Sequence, residues 1–137
     1  MARVLVVDDE ESQVRMLVVG LRTEGFDALG TSEPETVIDL LHAEAVDLAL
    51  VDLMMPGLNG IELARKIRDA FPCVRVVLTS AYHLSERQLS RADCGVLGFV
   101  PKPYVLSELA AFLNQKLKMA RSAPPIPSDS GSRLRAS

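Results

Sequence analysis

The sequence predicts a doubly wound α/β domain on a five-stranded parallel sheet, and three observations carry that reading. Short β-branched runs alternate with amphipathic stretches as far as about residue 118. Three of the runs, VLVV, LALV and VRVVLT, are almost continuously apolar, as strands are when helices cover both faces of a parallel sheet. The alternation is strict, so each strand reaches the next through a helix in a right-handed crossover.

The elements follow in order. A strand over residues 3–7 precedes a helix over about 11–24, where Leu17, Val18 and Leu21 share one face and Gly25 supplies the stop. A strand over 26–30 comes next, shorter in apolar content and suited to an edge. Ser32 stands three residues before Glu35, the spacing of a capping box, with Pro34 in the first turn and Val37, Leu40 and Leu41 toward the core. After a strand over 47–52, Asn59 and Glu62 repeat the device before Ile61, Leu63, Ala64 and Ile67. Beyond a strand over 74–79, Ser85 and Gln88 repeat it before Leu89 and Ala92. A short strand over 98–100 leads to a last helix capped by Ser107 and carrying Leu109, Phe112, Leu113 and Leu117.

From Arg121 onward the chain reads RSAPPIPSDSGSRLRAS, rich in Ser and Pro and without periodicity. The expected division is therefore a domain over 1–120 and a tail or linker over 121–137.

Composition excludes several classes. At 137 residues with 48% apolar content, the chain can bury a core without disulfides or a structural metal. A net charge of -3 argues against a nucleic-acid-binding surface. No apolar run approaches the roughly 20 residues needed to span a bilayer, and with no basic n-region followed by an h-region and cleavage site, export is not expected. Cys73 and Cys94 are lone thiols without metal spacing; they read as small buried apolar residues in a reducing cytoplasm. His42 and His83 read as surface residues without a role.

In an open α/β sheet, ligands bind outside the carboxyl ends of the strands. Those ends carry Asp8 and Asp9, then Asp52, then Thr79 and Ser80, then Lys102 between Pro101 and Pro103. Taken alone, Asp8 and Asp9 would read as a solvated helix N-terminus, and Glu10 and Glu11 as first-turn residues favoured by the helix dipole. Set against Asp52 and Lys102, the two aspartates become part of a hard-oxygen site suited to Mg²⁺. A carboxylate beside such a cation can serve as a phosphoryl acceptor, a transfer that needs mainly charge neutralisation and in-line positioning.

The segments VVDDE, VDLMMPGLNG, LTSAY and FVPKPY, in this order at the strand ends, resemble the receiver domain of two-component response regulators over about residues 3–118. The resemblance implies a flavodoxin-like sheet of strand order 2-1-3-4-5. It implies Asp52 as phosphoacceptor, Asp9 as direct metal ligand, Asp8 as a ligand through water and the Met54 backbone carbonyl as the third protein ligand. Lys102 would pair with the phosphoryl group and Ser80 would be the switch hydroxyl, with Thr79 the fallback if the register slips by one. Phe99 matches the aromatic switch position, and reads equally as a core aromatic. The cation implied is Mg²⁺, with Mn²⁺ as a substitute, and a cis bond is expected before Pro103.

The implied partners are a histidine kinase or histidine phosphotransfer protein and a downstream protein or attached output domain. A homodimer would use the face of the fourth helix, fifth strand and fifth helix. No direct nucleic-acid binding or membrane insertion is expected. The chain would be a regulatory phosphoacceptor that catalyses its own phosphorylation, not a metabolic enzyme. Met54 and Tyr82 offer no acid or amide to orient an attacking water, so slow autodephosphorylation is expected. Two other classes compete: a docking module working without phosphorylation, and a small phosphatase with an Asp nucleophile. The intact set of site residues counts against the first. The second usually needs a second acid two residues after Asp52, where Met54 stands.

Overall fold

The computed structural model describes residues 1–55, 58–80 and 96–122. Five strands, β1 (Arg3–Val7), β2 (Asp27–Thr31), β3 (Leu48–Asp52), β4 (Arg75–Ser80) and β5 (Gly98–Pro101), form one sheet in the order β2-β1-β3-β4-β5. Every pairing in it is parallel. The helices among the described residues are α1 (Glu11–Thr23), α2 (Val37–Ala43), α3 (Gly60–Ala70) and α4 (Leu106–Ser122). This is the doubly wound, flavodoxin-like arrangement expected from the sequence, with β2, β3 and β4 each starting one residue later than the pattern suggested. The helix expected around Ser85, Gln88, Leu89 and Ala92 lies outside the described residues, as do Pro56, Gly57, Tyr82, His83, Cys94 and the tail beyond Ser122.

Strand alternation divides the apolar side chains into two layers. Val4, Val6, Leu48, Leu50 and Val77 face α1 and α4, meeting Val14, Leu17, Leu21, Leu109, Leu113 and Leu117. Leu5, Val7, Ala49, Val51, Val76 and Leu78 face α2 and α3, meeting Val37, Leu41, Leu63, Ala64 and Ile67. Both faces of β1 and β3 are covered, which is why their sequences are apolar at successive positions. Each fully buried Val or Leu contributes about 1.5–3 kcal/mol, so the central strands anchor the fold.

Local signals explain the helix ends. Gly25 adopts φ 97°, the left-handed conformation a helix stop requires. Its N–H donates to Arg22 O while Phe26 N–H donates to Leu21 O, the paired bonds of a Schellman motif. Asn59 caps α3, its side-chain oxygen accepting from Ile61 N at 2.8 Å. On the exterior, Arg22 Nε and Nη2 both donate to Ala28 O, at 3.1 and 2.8 Å. At the amino ends of the strands Arg3 donates to Asp27 and Glu44 and its backbone N–H to Asp47. The bond and charge of Asp27 hold the Arg3 guanidinium above its ordinary value.

Three local expectations are corrected. Ser32 does not open a capping box. Thr31 Oγ1 accepts from Glu33 N and bonds Thr36 Oγ1, and Thr36 Oγ1 donates to Glu33 O, so the turn closes around Glu33 and begins one residue later than a Ser32 cap requires. A short 3-10 turn, Pro34–Thr36, then leads into α2, whose N-cap makes no side-chain bond. Ser107 is not the cap of α4, because Val105 O already accepts from Leu109 N and Ser107 lies within the first turn. Cys73 is exposed, not buried, since it sits in the turn between α3 and β4 where the chain passes over the surface.

Candidate functional site

The site is assembled where β1, β3, β4 and β5 end. Asp8 follows β1 directly and is 2% exposed, whereas Asp9 is open to solvent. Asp8 is held in place locally: its Oδ1 accepts from Glu10 N at 3.0 Å, across the turn that starts α1. Glu10 is the N-cap residue and Glu11 the first helical one, paired with Arg15 one turn on. The acidic run thus divides as its chemistry suggested, with two acids serving the helix and two facing the crevice.

Asp52 closes β3 and is 8% exposed. Beyond it the chain turns back through an antiparallel ribbon of Met54–Met55 with Leu58–Asn59. Leu53 N–H donates to Thr79 O and Gly60 N–H to Leu53 O, both at 2.8 Å, fastening the turn to β4 and α3. A Cβ on Gly60 would fall 2.5 Å from Asp52 O and 2.7 Å from Leu53 Cα, so only glycine lets α3 start this close to the end of β3.

Oxygens of Asp8, Asp9 and Asp52 lie within 4.8 Å of one another. Two unit charges at about that separation repel by about 1 kcal/mol in bulk water, and by several times that where solvent is partly excluded. Lys102 offsets part of this: its Nζ donates to Asp8 Oδ2 at 3.1 Å and lies 3.8 Å from Asp52 Oδ1. One ammonium against three carboxylates leaves the cluster with a net negative charge. The donors are all oxygens, with no His or Cys among them, which is the set that Mg²⁺ takes and softer metals do not. The residues therefore fit a hard divalent cation.

Thr79 and Ser80 end β4, both buried, with Thr79 in register with Asp52. Lys102 N–H donates to Ser80 O at 2.8 Å, fixing the end of β5 against β4. The Lys102–Pro103 bond is cis, as expected. Phe99, paired in register with Leu78, is half-buried against the layer of α2 and α3.

Sequence reasoning passed over one residue. Tyr104, the last residue of FVPKPY, packs half-buried beside the layer of α1 and α4, and its hydroxyl is enclosed. Burial first, and the charges of Asp8 and Asp52 second, push its pKa up to about 12. The signal was available in the sequence as an aromatic with a polar tip two residues after Lys102.

Known proteins are similar to this chain. The family model described as the response regulator receiver domain matches residues 4–114. A CheY-like receiver domain protein from Methanospirillum hungatei is 22% identical, with a TM-score of 0.80 over 88% of this chain and 97% of that one. The response regulator TrrA from Thermotoga maritima, solved in complex with Mg²⁺ and BeF, is 28% identical, with a TM-score of 0.74 over 85% of this chain and 99% of that one. NtrX from Brucella abortus, solved with ADP, is 25% identical with a TM-score of 0.79; 88% of this chain matches 28% of that longer one.

Proposed function

Because the chain belongs to the response regulator receiver family, we propose that it is a phosphoacceptor switch whose acceptor is Asp52. One observation supports this most: Asp8, Asp9 and Asp52 converge within 4.8 Å at the strand ends while Lys102 lies 3.8 Å from Asp52.

In this reading Asp9, Asp52 and the Met54 carbonyl would hold Mg²⁺, or Mn²⁺ in its place, with Asp8 reaching it through water. The cation supplies charge neutralisation for the transferring phosphoryl group. Asp52 attacks phosphorus through one carboxylate oxygen, and the donor histidine leaves with its electron pair. Lys102 pairs with the phosphoryl oxygens, and Ser80 donates its hydroxyl to another. Phe99 follows Ser80 inward, so a local charge biases two packings of the same fold. The face of β5, α4 and the helix expected between β4 and β5 then changes its affinity for a partner, which includes a second copy of the chain.

The donor is a histidine kinase or a histidine phosphotransfer protein, and the receiver of the signal is a downstream protein or an attached output domain. The reaction belongs to the cytoplasm. The domain spans residues 1–120, and the Ser/Pro-rich remainder is a tail or linker.

The test is labelling by acetyl phosphate with Mg²⁺ present, followed by mass determination. Wild type should gain one phosphoryl group and Asp52→Asn none. Labelling of Asp52→Asn to the wild-type extent would refute Asp52 as acceptor.

A further inference from the structure

Glycine is the least favourable residue after proline inside a helix, yet Gly20 stands within α1. The space it leaves is taken by Leu106, the first residue of α4, which packs partly buried in the layer of α1 and α4. A Cβ on Gly20 would fall 2.5, 3.1 and 3.3 Å from Leu106 Cδ2, Cδ1 and Cγ. With Cγ this close, turning the end of the leucine does not clear an added group; the whole side chain must withdraw.

The contact joins the two stretches of chain that carry an ion pair of the crevice. α1 begins just beyond Asp8 and Asp9, and its N-cap residue holds Asp8, Glu10 N–H donating to Asp8 Oδ1 at 3.0 Å. Leu106 follows Lys102 by four residues, a tether of at most about 14 Å. Lys102 itself is tied to β4, its N–H donating to Ser80 O at 2.8 Å. Tyr104, midway along the tether, packs in the same layer as Leu106. From this seat the Lys102 ammonium donates to Asp8 Oδ2 at 3.1 Å and stands 3.8 Å from Asp52 Oδ1.

We propose that Gly20 and Leu106 are positioning residues for Lys102: the notch in α1 sets how closely the β5–α4 connection approaches Asp8, and so holds the ammonium between Asp8 and Asp52. The role rests on the phosphoacceptor reading given above. Filling the notch displaces Leu106, and the ammonium retreats from both acids. Phosphoryl transfer to Asp52 then loses a cationic partner and slows. Mg²⁺ loses a competitor for the same acids and binds at least as tightly. General loosening of the fold would instead weaken both.

The test measures acetyl phosphate labelling, and Mg²⁺ binding by calorimetry, in wild type, Gly20→Ala, Gly20→Leu and Gly20→Leu combined with Leu106→Ala. Melting without metal shows which variants fold; Gly20→Ala is the smaller step and favours the helix, so it carries the comparison if Gly20→Leu does not fold. Labelling should slow on the order of tenfold or more in Gly20→Leu, and less in Gly20→Ala, with Mg²⁺ affinity at or above that of wild type. Shortening Leu106 in the double variant should restore the rate. In a Lys102→Met background, Gly20→Leu should leave Mg²⁺ affinity unchanged, because the residue through which it acts is gone. Wild-type labelling in a folded Gly20→Leu would show that the notch serves packing alone and overturn the inference. Slowed labelling with weakened Mg²⁺ binding would overturn it too. A wild type that takes up no label would overturn the phosphoacceptor reading and this inference with it.

Discussion

The ammonium of Lys102 stands between two buried carboxylates, bonded to Asp8 at 3.1 Å and 3.8 Å from Asp52. Lys102 thus already does part of what a divalent cation would do, and the two positive charges share the same acids. Lys102→Met should therefore act in opposite directions on stability and on metal binding. Without metal it leaves Asp8 buried without its ion partner, costing about 1–3 kcal/mol, since Lys102 is partly solvated. With Mg²⁺ the variant should bind more tightly than wild type, because a competing charge is gone. Paired urea melts with and without Mg²⁺ measure both effects; a variant that Mg²⁺ stabilises less than wild type would contradict the shared-charge account.

The repulsion among Asp8, Asp9 and Asp52 predicts that Mg²⁺ stabilises the unphosphorylated protein. At a concentration ten times the dissociation constant the gain is about 1.4 kcal/mol. Asp9→Ala should abolish most of it. Identical wild-type melting temperatures with and without millimolar Mg²⁺ would sink this account of the cluster.

Gly60 tests the seating of Asp52. The added methyl group of Gly60→Ala would meet backbone, not a flexible side chain, at 2.5 and 2.7 Å. Overpacking of this kind costs about 1–3 kcal/mol. Because the displaced atoms belong to Asp52 and Leu53, acetyl phosphate labelling should slow as well. Normal stability and labelling in this variant would show that the end of β3 tolerates displacement.

Tyr104 gives the protein an alkaline limit. Its folded pKa, about 12, lies above the ordinary value of 10.0. Below pH 10 the hydroxyl is protonated whether the chain is folded or not and contributes no pH dependence. Between pH 10 and 12 the unfolded chain releases the proton and the folded one keeps it, so stability falls as pH rises. Melting temperatures at pH 9 and 11 should therefore drop further for wild type than for Tyr104→Phe. Equal drops would show that the hydroxyl ionises freely in the folded state.

Slow loss of the phosphoryl group is the kinetic counterpart. With Met54 and Tyr82 two residues beyond Asp52 and Ser80, no acid or amide at those positions orients a water for attack. The aspartyl phosphate formed with Mg²⁺ at neutral pH should last minutes or longer, followed by phosphate release. A lifetime of seconds would contradict it.

The sheet and the acidic cluster were legible in the sequence for related physical reasons. VLVV and LALV can be apolar at successive positions only where both faces are covered, and that arrangement sends the chemistry to the strand ends. Asp8, Asp9, Asp52 and Lys102 could therefore be gathered from sequence order alone. Ser32 misled because a capping box depends on backbone angles; Thr31 and Thr36, invisible as a pair until β2 ends beside them, close the turn around Glu33 instead. The Met54–Met55 ribbon is too short to leave a periodic pattern. The Tyr104 hydroxyl is enclosed by packing from several elements, which no local spacing reports.

One exterior contact has a consequence for the molecule among its own copies. β2 borders β1 on one side only. Asp27 N–H and Thr31 C=O bond toward β1, so the intervening Ala28 carbonyl points the other way, along the free rim of the sheet. The fork of Arg22, bringing a fixed positive charge, sits on that carbonyl. An incoming strand would have to displace two hydrogen bonds and accept a buried guanidinium before it could add to the sheet. The last turn of α1 thus shields this carbonyl of the β2 edge from an added strand.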